Sequence, residues 1–471
     1  MAVILGGAPT KYIITCVGGI IILLMALSLG THDRLFFFFL ALFALGIPFN
    51  LGLKFFYRQS HLGGAMGVDI TLCFLSTLFL CLLMTYDYMS GTRKFLFDYN
   101  RTLLWAQLIC IMAGILSLAN AADSTLVAFE LLRMAVLLLI FLVIMNLQTD
   151  KQLKVLIFFL SLGVFVQGVL AVYQYKTGRS LGLTIFGEKP LLAQNIGFTA
   201  SRATGTIGHP NILAYYFEIL VPLVFAMLLV EKQKILQLWY FMAFAMGILG
   251  MLTTLSRAGW LTVPVSMVTV FIFVTKGRLF QWKTIFQIFV GVLLVGVLIY
   301  FFYPTIEKRY LHDDYGSAAA RLPMNRAAIS VIKQYPIAGV GLNNLAEVFQ
   351  RYDTTGGATL LLGGEGARSV VHNLYLATWA DVGTVGFLAF VWLFLSMFLV
   401  AGRLYPKVSR WRKAVLVGIS AGIMAQLVHG FFDPGFKGSL AISYLVYALF
   451  GIVGALYIMQ KRYTDELSRP E

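Results

Sequence analysis

Apolar residues in this chain come in long blocks, separated by short polar breaks. Blocks long enough to cross a ~30 Å hydrocarbon core, which takes about 20 helical residues, lie near 12–30, 35–53, 66–86, 102–119, 124–146, 153–173, 211–230, 236–254, 258–275, 283–303, 373–402, 413–432 and 438–459. The pattern predicts an all-α, polytopic integral membrane protein with about 12–14 transmembrane helices. Two breaks, 174–210 and 304–372, are far longer than the few residues that usually link helices in a bundle. The second mixes short helix candidates ("AARLPMNRAAISVIKQYP") with glycine-rich stretches ("TTGGATLLLGGEGARS") and reads as one long, partly helical external loop. The chain therefore divides into N-terminal spans 1–173, central spans 174–303 with the external segment 174–210, the loop 304–372, and C-terminal spans 373–471. The first apolar block lacks a basic lead and reaches spanning length, so it is read as a retained span and not a secretory signal.

Composition removes the water-soluble alternatives. The chain is 59% hydrophobic and only 12% charged, where a soluble domain carries about 25% charged residues. Its net charge of +15 is spread over short breaks instead of one module, which fits positive-inside topology and an anionic target at the lipid bilayer better than nucleic acid. On that rule "TDKQLK" (149–154), "EKQK" (231–234), "KGRLFQWK" (276–283), "RLYPKVSRWRK" (403–413) and the "KRY" tail face the cytoplasm. The segments 174–210, "SRAG" (256–259), 304–372 and "GFFDPGFKG" (430–438) then face outside, as does the basic "KFFYRQSHLGG" (54–64), which fits the rule poorly. Cys16, Cys73, Cys81 and Cys110 all fall in apolar runs, which suggests free buried thiols and neither a disulfide framework nor a zinc site. The absence of an internal repeat counts against a transporter built from duplicated halves.

Candidate chemistry gathers on the external side. Arg202 sits in "SRATGTIGHPN", Arg257 in "TTLSRAGW", and Arg321 and Arg326 in the long loop. A boundary arginine has a plain alternative role, snorkelling toward headgroup phosphates. Arg257 makes the stronger case, because its turn lies where positive charge is disfavoured. A guanidinium held there needs an anion, and its fork suits phosphate or pyrophosphate. His372 lies where the glycine-rich loop gives way to a span; it is either a packed helix-end residue or a proton acceptor suited to neutral pH. Tyr375 and Trp379 share its face at i+3 and i+7, a spacing that fits a sugar-binding floor and core packing equally well.

Weaker signals complete the inventory. Glu218 is an acid with no evident partner inside a span and faces a cavity on this reading, whereas Glu130 and Arg133, three apart, neutralise each other. Asp381 is placed to cap or hydrogen-bond near the His372 helix, and His32, His61, His209 and His429 read as structural or interfacial. "LHDDY" (311–315) puts potential metal ligands side by side, where helical geometry would point them apart, and "GVGLNNL" (339–345) lacks the strand-turn-helix setting of a nucleotide loop.

The stretches "SRATGTIGHPNILAYY", "TLSRAGW", "AARLPMNRAAISVIKQYPIAGVGLNNLAEVFQRY" and "VVHNLYLATWADVGTVGFL", in that order, resemble the O-antigen ligase and O-antigen polymerase superfamily of bacterial envelope glycan transferases. The resemblance implies a multi-pass protein of the bacterial inner membrane with its active face periplasmic. It implies transfer of a glycan from undecaprenyl pyrophosphate to an acceptor hydroxyl, with no nucleotide sugar, ATP, cofactor or essential metal. Matched residue by residue, the family's short-turn arginine falls on Arg257, its long-loop arginine on Arg321 and its histidine, the general base, on His372; Arg202 matches an arginine of the preceding external segment. Arg326, Tyr375, Trp379 and Glu218 are the further candidates for holding pyrophosphate or glycan. The chain departs from the common pattern at Asn325, where many members carry tryptophan, and at Asp381-Val382-Gly383, where many carry Glu-x-Gly. The expected partners are the lipid-linked donor, an acceptor that is a second glycan (polymerase), lipid A core (ligase) or a protein side chain, and other proteins of envelope polysaccharide assembly. The segment 174–210 favours the polymerase. Competing readings of other classes are a flippase for lipid-linked glycans and a non-catalytic scaffold.

Overall fold

A computed structural model describes residues 28, 30–49, 51–58, 61, 63–189, 202–275, 303, 307, 317–353 and 371–467. Nearly all of the expected spans 12–30 and 283–303, Cys16, "KGRLFQWK" and "LHDDY" lie outside these residues, as does most of the glycine-rich part of the long loop. The described helices are α1 (His32–Gly46), α2 (Leu72–Met89), α3 (Arg101–Leu116), α4 (Ser124–Met145), α5 (Asp150–Thr177), α6 (Pro210–Val230), α7 (Lys234–Thr253), α8 (Arg257–Val274), α9 (Ser317–Gln334), α10 (Leu345–Tyr352), α11 (Leu374–Leu404), α12 (Arg410–His429) and α13 (Leu440–Leu467), with a short helical turn at Gly435–Gly438. Among the described residues ten helices, α2 to α8 and α11 to α13, are long and apolar enough to cross a membrane. The protein is an all-α, multi-pass membrane protein.

One expected span is corrected. The block 35–53 is not a single crossing: α1 ends at Gly46, and Gly52–Phe55 (β1) pairs antiparallel with Val68–Thr71 (β2). Pro48 has no N–H to continue the helix, while strand residues as apolar as "GLKF" extend the hydropathy peak past the helix end. The next span starts late for the same reason, with Thr71 ending β2 and capping α2 through its side chain.

The hairpin also explains the basic break at 54–64. Arg58 pairs with Asp123, the N-cap of α4, and buried His61 hydrogen-bonds Glu347 through Nδ1 and Asn343 through Nε2, each at 2.9 Å. This break therefore lies at the same end of the bundle as the 339–347 loop, with the charge of Arg58 neutralised. At the other end Arg412 pairs with Asp150 at 3.0 Å, Lys154 sits over the Trp411 ring 5.6 Å from its centroid, and Arg462 approaches Asp98 at 3.5 Å. The breaks 149–154 and 403–413 and the tail are thus gathered together, as their shared cytoplasmic assignment requires.

At the centre stands α6, packed on α7, α8 and α12 and buried along most of its length. Gly418 and Gly422, four apart on α12, permit the closest approach: a Cβ on Gly418 would lie 2.7 Å from Leu223 Cα, and one on Gly422 would overlap the Ile219 carbonyl. α11 is broken at Gly383, whose φ of 66° is left-handed. The loop before α10 fills the break by pairing its backbone with it: Thr384 N–H donates to Pro336 O at 2.8 Å, Val340 N–H to Ala380 O at 2.9 Å and Gly341 N–H to Asp381 O at 3.0 Å.

Candidate active site

Four chain segments meet at the N-terminal end of α6. The first is the approach to α6 itself. Arg202 donates from Nε to the Thr254 carbonyl at 2.9 Å and from Nη2 to Asn211 Oδ1 at 2.7 Å, while Ala203 N–H donates to Thr253 O at 3.1 Å. Arg202 thereby ties the first turn of α6 to the second segment, the α7–α8 turn. Leu255 turns the chain there with φ 52°, and Ser256 caps α8, so that Arg257 opens the helix.

The third segment carries His372. Asn373 caps α11 by accepting N–H bonds from Tyr375 and Leu376. His372 consequently precedes the helix and lies off the face that carries the two aromatics. The fourth segment is the turn after α12, bonded to the start of α11 by Leu374 N–H donating to Gly430 O at 2.7 Å.

That turn holds Asp433, which is buried. Asp433 Oδ2 accepts from Asn211 Nδ2 at 2.9 Å and lies 3.6 Å from His372 Nδ1, an ion-pair distance. Tyr215 O–H donates to the Asp433 carbonyl at 2.6 Å. Burial would push the Asp433 carboxyl up, but the nearby His372 and the hydrogen bond from the Asn211 amide hold it below the usual carboxylate range. An ionised carboxylate beside Nδ1 favours the tautomer with the proton on Nδ1. Nε2 is then free to take a proton, and the imidazolium that forms is stabilised. His372 is 39% exposed, open enough to meet a substrate.

Beneath this pair lies a second one. His429 Nδ1 and Glu218 Oε1 are 2.7 Å apart and buried, and the His429 ring stacks on Tyr215 with centroids 4.2 Å apart. The expectation of an unpartnered Glu218 facing a cavity is therefore overturned: the carboxylate is enclosed, and its Oε1 pairs with His429.

The remaining candidates separate into two groups. Arg321 is half-buried on α9 and acts electrostatically on His429, which brings it to the cluster. Arg326, five residues on, is exposed on another face of α9. Tyr375 donates its hydroxyl to Leu427 O at 2.6 Å and packs on Phe431, while Trp379 donates to Thr384 Oγ1 at 3.0 Å and stacks on Phe387. Both aromatics thus do packing work along α11, and neither shares a helix face with His372.

Sequence reasoning missed Asp433, Asn211 and the participation of His209 and His429. His209, the N-cap of α6, interacts with Asp433, Arg202 and His372. The signal for Asp433 was an acid in an Asp-Pro-Gly turn on a face otherwise rich in arginine.

Residues 241–391 match the family model described as O-Antigen ligase. The match takes in Arg257, Arg321 and His372 and covers less than half of the chain, which over those residues is similar to that family. No curated protein matches the chain.

Proposed function

We propose that the protein is a bacterial inner-membrane glycosyltransferase that moves a glycan from undecaprenyl pyrophosphate to an acceptor hydroxyl on the periplasmic face. The observation that carries this reading is His372 set against a buried carboxylate, Asp433, at the end of the bundle that also gathers Arg202, Arg257 and Arg321. In the reaction, the acceptor oxygen attacks the anomeric carbon and its proton passes to His372 Nε2. The bond from that carbon to the pyrophosphate oxygen breaks, and the pyrophosphate leaves with the electron pair. Arginines at a dry membrane boundary stabilise that growing charge. A single in-line displacement inverts the anomeric centre, and the polyprenyl tail stays between the spans.

The acceptor is read as a second lipid-linked glycan, on the length of the 174–210 segment. The description of the matched family favours a second reading with lipid A core as acceptor. Purified protein supplied with lipid-linked repeat alone tells these apart: chain growth marks a polymerase, and silence until lipid A core is added marks a ligase. A flippase would move the donor across a vesicle membrane without releasing undecaprenyl pyrophosphate.

A further inference from the structure

Beside the His372–Asp433 pair lies a buried polar network with no part in the chemistry above. Its centre is Asp381, in the broken stretch of α11. Asp381 Oδ1 accepts from Leu345 N–H at 2.8 Å, and Oδ2 accepts from Asn343 N–H at 3.0 Å and from the Lys437 ammonium, its ion-pair partner. The Lys437 carbonyl in turn accepts from Arg133 Nη1 at 2.9 Å; Arg133 pairs with Glu130, and Glu130 Oε2 accepts from Ala65 N–H at 2.9 Å. The network thus joins the hairpin loop, α4, the 339–345 loop and the turn after α12.

Its location matters more than its size. Lys437 N–H donates to Pro434 O at 2.8 Å, so an anchored Lys437 fixes the turn that begins one residue after Asp433. Val371, the neighbour of His372, lines the same small cavity as Asp381, Asn343, Pro434 and Lys437. Both members of the pair are therefore flanked in sequence by residues packed against this network. At 3.6 Å the pair stands at the limit of useful contact, and a misplacement of 1 Å can cost a reaction about 10²-fold. A buried charge pair is otherwise a poor source of stability, since desolvation offsets most of its attraction.

We propose that Asp381 and Lys437 are positioning residues that hold Asp433 against His372. This inference rests on the transfer reaction given above. Its test uses purified full-length protein, with kcat and KM of glycan transfer measured for Asp381→Asn, Lys437→Met, Lys437→Arg, Asp433→Asn and the double variant Asp381→Asn/Asp433→Asn. Asp381→Asn and Lys437→Met are expected to lower kcat about 10- to 100-fold with little change in KM, and Lys437→Arg to recover most of the loss. The double variant should be no slower than Asp433→Asn alone. Wild-type kcat in the folded Asp381→Asn variant would overturn the proposal, as would losses that multiply in the double variant. If Lys437→Met does not fold, the isosteric Asp381→Asn and the double variant still decide the matter. Failure of the transfer reading itself shows separately, as wild-type protein that releases no undecaprenyl pyrophosphate.

Discussion

Replacing Asp433 by Asn removes one charge and leaves the size of the side chain unchanged. The carboxylate lies 3.6 Å from His372 Nδ1. At that distance two unit charges attract by about 4–5 kcal/mol at an effective dielectric of 20, and by about 1 kcal/mol in bulk water. Asp433 is buried but His372 is 39% exposed, so solvent screening brings the value toward the lower end, to about 2 kcal/mol. If the imidazolium forms as the acceptor proton is taken, that loss falls on the transition state and slows transfer about 30-fold. An Asn that turns its amide N–H toward Nδ1 also selects the wrong tautomer, which carries the expected loss in kcat to about 10²-fold or more. The assay is single-turnover release of undecaprenyl pyrophosphate from a lipid-linked glycan by protein in nanodiscs, with folded fraction checked by gel filtration. Turnover within threefold of wild type would refute the role given to Asp433, and with it the assignment of Nε2 as the proton acceptor.

Three further outcomes follow from the packing. Glu218→Ala leaves His429 buried without its 2.7 Å partner and should destabilise the fold by about 3–5 kcal/mol, read as a lower unfolding midpoint, with Glu218→Gln losing clearly less. Gly383→Ala asks an L-residue to adopt φ 66° and to place a Cβ into the Ile337 carbonyl, so it should sharply reduce the yield of folded protein, whereas Gly402→Ala, where a Cβ meets nothing within 4 Å, should not. Asp433 is a carboxyl depressed in the folded state; its contribution to stability is present above the unfolded value of about 3.9 and is lost as pH falls through the lower folded value. The unfolding midpoint of wild type should therefore fall more steeply on acidification below about pH 4 than that of Asp433→Asn.

The membrane spans were legible because each is a local property of some twenty consecutive residues. Where local signal and tertiary structure part, the reading failed: "GLKF" is apolar enough to pass for the end of a helix, yet it pairs with Val68–Thr71. His372 and the arginines could be singled out by type and side of the membrane, but their partners could not. Glu218 looked unpartnered because His429 lies 211 positions away, and Asp433 is a single acid in a nine-residue turn whose partners, Asn211 and His372, lie far from it in sequence. Tyr375 and Trp379 were drawn into the site by a helical spacing that Asn373, as the cap of α11, does not extend back to His372. Asp381 was noted as a hydrogen-bonding residue, but its tie to Lys437 needs the break at Gly383 and the turn after α12 together.

Glycan transfer by this mechanism requires His372 to take the acceptor proton. The decisive measurement compares wild-type and His372→Ala protein, purified and reconstituted, for donor binding and for release of undecaprenyl pyrophosphate once an acceptor is supplied. A general base predicts that the variant binds lipid-linked donor as wild type does and releases no product. Undiminished release by the variant would contradict it.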